Sequence, residues 1–250
     1  MTAPALVALA HGSHDPRSRD SVTALVTEVR RARPDLRVEQ ASLERPDARG
    51  PSLTDVVARL AADGVEEAVV VPLLLTEPHL AGADVDSAIV DAAARHRSVR
   101  LRASAVLGLE PAFLEVLDVR LRDALAAARV CELDALVLAA SGSTDHLTNA
   151  AVARLARLWG THHKLPVTAA YAASAPPATG EAVRAFRGEG RRHIAVGSLF
   201  LAPGVLHDRA AELALEAGAV AVSAPLGPHP EVARVVLARY AVGAVELVPV

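Results

Sequence analysis

The chain has 250 residues and a formal net charge of −3, with 52% hydrophobic residues but only 2% aromatic. That length allows one large or two small domains, and the charge argues against a general affinity for nucleic acid or an anionic membrane surface. A core built from Ala, Val and Leu favours parallel sheets covered by helices over a β-sandwich, and a single cysteine, Cys131, excludes an internal disulfide and a thiolate metal cluster.

Taken in order, apolar runs rich in Leu and Val alternate with segments of helical periodicity. The first run, LVALAH, stops at His11, and Gly12-Ser13 turn the chain into a helix. The reading for the first half is strand 5–11, helix 18–32, strand 37–43, helix 52–63, strand 67–75, helix 82–95, strand 100–107 and helix 111–128. Leu114, Leu117, Leu121 and Leu125 give the last of these helices one buried stripe. In the second half, strands are expected near 134–140, 166–172, 193–201 and 219–224, and helices near 146–162, 177–188, 205–217 and 230–241. Gly64 and Gly218 stand where helix C-caps are expected, and Pro111 and Pro230 suit first helical turns. The tail AVELVPV, 244–250, reads equally as an edge strand or a packed arm.

The second half repeats the first. LVALAHGSHDP at 6–16 aligns with LVLAASGSTDH at 136–146, EEAVVVPLLL at 66–75 with RHIAVGSLFL at 192–201, and LGLEP at 107–111 with LGPHP at 226–230. Strand–helix alternation in both halves implies parallel strands joined by right-handed crossovers. The fold class is therefore α/β: two similar domains, 1–129 and 130–250, each a four-stranded parallel sheet flanked by helices.

In a duplicated chain, shared residues report the fold, and polar residues present in one half alone are candidates for function. His11 is matched by Ser141, Glu44 by Ala173, and His79 by Val205. Two imidazoles and a carboxylate at three strand ends make a partial shell for a divalent ion such as iron, cobalt or nickel. Each has a plainer reading. His11 can bond neighbouring backbone, Glu44 can pair with Arg45 or Arg49, and His79 can cap the next helix. Every basic residue but Lys164 is an arginine, whose planar fork suits a polycarboxylate ligand, although a codon-usage bias accounts for the composition equally well.

The segments AHGSHDPR (10–17), ASLE (41–44), VVVPLLLTEPH (69–79), ASGSTDHLTNA (140–150) and FLAPGVLHDR (200–209) span nearly the whole chain. In them the chain resembles the sirohydrochlorin chelatase family, in its long, internally duplicated form. The resemblance implies insertion of iron or cobalt into sirohydrochlorin without ATP, for siroheme or cobalamin synthesis, in a cleft between two similar domains. It also implies that His11 and His79 are the metal-binding and catalytic pair, with Glu44 as the strand-end acid. One departure is visible: Glu77 and Ala83 stand where the family has Gly and an acid, with Asp84 one step later. The tetrapyrrole's carboxylates call for cationic partners, for which Arg17, Arg45 and Arg49 are the nearest candidates, and Gly12-Ser13 could offer backbone N–H donors to one of them.

The expected cargo is Fe2+ or Co2+, with Ni2+ a further candidate, and no prosthetic group is expected. Two rival classes stay open, a non-catalytic metal or tetrapyrrole carrier and, more remotely, a histidine phosphatase, whose usual Arg-His-Gly is absent because Ala10 precedes His11. No basic region precedes the first apolar run and no apolar stretch reaches membrane-spanning length, so a cytoplasmic protein with no nucleic-acid or membrane partner is expected. Internal duplication makes a monomer sufficient.

Overall fold

The computed structural model describes residues 3–43, 50–76 and 81–247, with backbone alone over 81–84. Glu44, Arg45, Arg49 and His79 lie outside the described residues.

Among the described residues, sixteen elements alternate between strand and helix: β1 Ala5–Ala10, α1 Pro16–Ala32, β2 Val38–Ser42, α2 Leu53–Ala62, β3 Glu67–Pro72, α3 Ala81–Arg95, β4 Arg100–Ala103 and α4 Phe113–Ala128, then β5 Ala135–Ala140, α5 His146–His163, β6 Val167–Tyr171, α6 Thr179–Gly188, β7 Ile194–Ser198, α7 Val205–Glu216, β8 Ala221–Val222 and α8 Pro230–Val245. They form two four-stranded sheets, ordered β2-β1-β3-β4 and β6-β5-β7-β8, and every pairing is parallel. The expected α/β class, with two similar parallel sheets, is what the chain adopts. Central strands such as β1 (ALVALA) and β5 (ALVLAA) are apolar at every position because helices cover both faces of a parallel sheet.

Element boundaries depart from expectation for local reasons. Helix α1 starts two residues early because the Asp15 carboxylate accepts from the Arg17 amide and Pro16 fits the first turn. Strand β8 is only two residues long, since its continuation is replaced by side-chain bonds: the Ser198 amide donates to Ser223 Oγ at 2.9 Å, and Ser198 Oγ to the Ser223 carbonyl at 2.7 Å. Of the tail, Ala244 and Val245 are the last residues of α8, so neither a strand nor an arm begins at 244.

The compact units are cut differently from the repeats. One comprises Met1–Gly108 with Pro228–Val250, and the other Leu109–Gly227. A division at 129/130 separates the two sequence repeats, but helix α4 packs on β7 and β8, and α8 packs on α1, β3 and β4. Each repeat thus gives its final helix to the sheet of the other. Both crossings fall on the LGxxP motifs, at Gly108 (φ +78°) and Gly227 (φ +61°), where the backbone enters a left-handed conformation that favours glycine. Periodicity correctly marks Leu114, Leu117 and Leu121 as buried, while Leu125, one turn further on, is only partly so. It carries no information on which sheet buries them.

Candidate functional site

The first unit positions its candidate residues through strand order. Strand β1 lies between β2 and β3, with Ala10 in register with Ser42 and Leu9 with Pro72. Past the strands the ladder extends one step on each side: the Leu43 amide donates to the Ala10 carbonyl at 3.0 Å and the Leu73 amide to the Leu9 carbonyl at 2.8 Å. His11 therefore leaves the centre of the sheet, between two buried leucines, at the carboxyl end where open α/β sheets bind ligands. It is partly exposed.

Directly after His11 the chain forms a helix cap. Gly12 has φ +89°, Ser13 Oγ accepts from the Asp15 amide at 3.1 Å, and the Asp15 carboxylate accepts from the Arg17 amide at 2.9 Å. The second unit repeats this device at Gly142 (φ +84°), Ser143 and Asp145. There Ser143 Oγ accepts from the Asp145 amide at 3.0 Å, and Asp145 accepts from Leu147 and Thr148. A Cβ on Gly142 would stand 2.0 Å from the Ala173 carbonyl oxygen, so the turn admits no side chain there. Because the same cap forms in a half with no strand-end His, Gly12 and Ser13 are accounted for by the start of the helix.

Arg17 is engaged locally as well. Its Nε lies 3.1 Å from both oxygens of Asp15 and its Nη2 2.5 Å from Oδ2. That hydrogen-bonded guanidinium, above all, holds the Asp15 carboxyl below its ordinary pKa. The anion at the N-terminus of α1 is thus the protein's own Asp15 carboxylate, and an incoming carboxylate would have to share Arg17 with it.

At the matching strand ends of the second unit stand Ser141 and, opening α7, the exposed Val205. Leu147 and Leu206, the second residues of α5 and α7, are exposed as well. Two features escaped sequence reasoning. His207, on α7, packs edge to face on Phe200 at 5.6 Å between ring centroids, with its Nε2 buried. Asp118, His162 and His163 bring three potential ligand atoms together in the same unit. The adjacent His pair was a visible signal, but its partner Asp118 lies on another helix.

A model of the CbiX family matches residues 5–124 and 135–242. Among solved structures, the chain is similar to SirB from Bacillus subtilis with Fe3+, at 22% identity and a TM-score of 0.79 over 97% of this chain and 96% of that one. It is also similar to the sirohydrochlorin chelatase SirB from Bacillus subtilis subspecies spizizenii in complex with cobalt, at 20% identity and a TM-score of 0.78 over 98% and 97% of the two chains. A third is CbiX, the terminal enzyme for siroheme biosynthesis in denitrifying bacteria, at 16% identity and a TM-score of 0.67 over 98% and 100%. No curated protein matches the chain.

Proposed function

This chain belongs to the CbiX family, and from that premise we propose that it is a lyase-type chelatase inserting a divalent metal, iron or cobalt, into sirohydrochlorin without ATP. The relatives reported with Fe3+ and with cobalt support the metal, and those described as a sirohydrochlorin chelatase and as a siroheme enzyme support the macrocycle. The observation that carries the reading is His11, at the carboxyl end of the central strand β1, where the duplicated half has Ser141.

Insertion exchanges two pyrrole protons for one M2+, so the site must hold the ion, shed its water and accept protons. A neutral imidazole does both kinds of work, because its reference pKa of about 6.5 lies close to neutral pH. In this reading His11 and His79 hold the ion on one face of the macrocycle and, as it passes to the pyrrole nitrogens and frees their own, take up the two protons released, and Glu44 orients or relays. Arg45 and Arg49 meet the substrate's carboxylates, with Arg17 shared between substrate and Asp15. Gly12 and Ser13 shape the loop that presents His11. One chain suffices as a monomer, acting in the cytoplasm on a small molecule and on neither nucleic acid nor membrane; no helix among the described residues is long and apolar enough to cross one.

Anaerobic incubation with sirohydrochlorin and each of Fe2+, Co2+ and Ni2+, followed by absorbance, tests the reading. Many turnovers per chain are expected with iron or cobalt. Binding that stops at one equivalent of metal or macrocycle identifies a carrier, and hydrolysis of a generic phosphate ester identifies a phosphatase.

A further inference from the structure

The second unit contains a group of side chains that the chelatase reading leaves unused. Asp118 lies midway along α4, and His162 and His163 are the last two residues of α5. One ligand atom from each lies within 4.8 Å of the others. His163 Nε2 is 2.7 Å from Asp118 Oδ1, and His162 Nε2 is 3.7 Å from Oδ2. Ligands on a tetrahedral first-row ion, with bonds of about 2.0–2.1 Å, stand about 3.3–3.4 Å apart. The two measured separations run to different oxygens of the carboxylate, one shorter and one longer than that value, so an ion would be seated by rotation of the side chains.

We infer that Asp118, His162 and His163 form a binding site for a first-row divalent cation such as Zn2+ or Co2+, with its remaining coordination open to solvent. Two nitrogens and one carboxylate oxygen suit such ions and not magnesium or calcium, which prefer oxygen alone. A supporting contact is present too: buried Trp159 donates its indole N–H to Asp118 Oδ1 at 2.7 Å, fixing the carboxylate and leaving Oδ2 turned toward His162. The two imidazoles occupy the last turn of α5, where the helix dipole places partial negative charge that favours a cation. His162, with 70% of its side chain exposed, provides the entry from solvent.

The chain supplies its own reporter, because Trp159 is its only tryptophan and its ring lies 5.6 Å from that of His163. Paramagnetic Co2+ at the site should quench its fluorescence, and diamagnetic Zn2+ should displace the cobalt and restore emission. Titration of the metal-free full chain with CoCl2 is expected to give saturable quenching as one ion fills this site, and the quenching should persist in His11→Ala, which removes the other cobalt site of the chelatase reading. His162→Ala, an exposed change, and Asp118→Asn, which keeps an oxygen for Trp159, should each weaken it by more than about tenfold while circular dichroism and melting temperature stay near those of the parent. The same midpoint in His162→Ala and Asp118→Asn, loss of quenching in His11→Ala, or parent emission indifferent to cobalt overturns the assignment.

Discussion

The Arg239 guanidinium, on α8, donates from Nη2 to the Leu107 carbonyl at 2.7 Å and from Nε to the Val106 carbonyl at 2.9 Å, tying the second repeat's last helix to the loop that follows the first repeat's last strand, β4. Arg120 on α4 makes the counterpart, reaching the Leu226 carbonyl at 2.9 and 3.2 Å. Charged hydrogen bonds to partly buried carbonyls contribute about 1.5–3 kcal/mol. Arg239→Met, which keeps most of the apolar stem, should therefore lower unfolding free energy by about that amount in urea. A change within about 0.5 kcal/mol, typical of a surface substitution, would show that the arginine is not a clasp.

Alkaline pH gives a second test, because the chain has only two tyrosines and each unit holds one. Tyr240 donates to the Pro4 carbonyl at 2.6 Å and Tyr171 to the Asn149 carbonyl at 2.9 Å. Burial pushes both phenols above their ordinary value. An acid whose folded pKa is raised favours folding fully below its unfolded pKa of about 10 and loses that contribution as pH rises through the folded value. Stability should thus fall above about pH 10, and tyrosinate absorbance should emerge later in the folded chain than in urea; coincident titrations would contradict it.

Gly142→Ala should be costly. A non-glycine residue at φ +84° carries strain of about 1–2 kcal/mol, and the Cβ contact at 2.0 Å from the Ala173 oxygen adds to it. A melting temperature within a degree or so of the parent would mean that the loop relaxes freely.

The asymmetry of the two halves predicts a split in activity. His11→Ala should bring metal insertion down to the spontaneous rate with the fold intact, whereas Ser141→Ala removes at most a hydrogen bond of about 0.5–1.5 kcal/mol and should leave turnover nearly unchanged. Val205→Ala, at an exposed position, should affect substrate affinity more than the rate at saturation. Equal losses in Ser141→Ala and His11→Ala would move the chemistry to the second half.

How far the sequence reaches can be judged from these same residues. Gly-Ser-x-Asp is legible as a repeat, and its duplicate cap explains why it recurs in a half without the strand-end His. Strand-end position singles out His11 because a buried apolar run stops there, and strand order then sets it at the centre of the sheet. The exchange of α4 and α8 is not legible, since a helical stripe records that Leu117 is buried and not by what. Nor is the meeting of Asp118 with His162 and His163, which depends on how α4 packs in the second unit. LGLEP and LGPHP lie between: as motifs they stand out, but only the fold reveals them as crossing points.

The exchanged helices also impose an order on synthesis. Residues 109–227 form a unit uninterrupted in the chain, whereas the sheet of β1 to β4 lacks α8 until some hundred and more residues after β4 have been made. A ribosome-bound chain therefore carries its first sheet with the α8-facing side of β3 and β4 bare while the later unit closes. That interval is when aggregation or chaperone capture threatens most, and slow elongation between Leu109 and Gly227 should lengthen it.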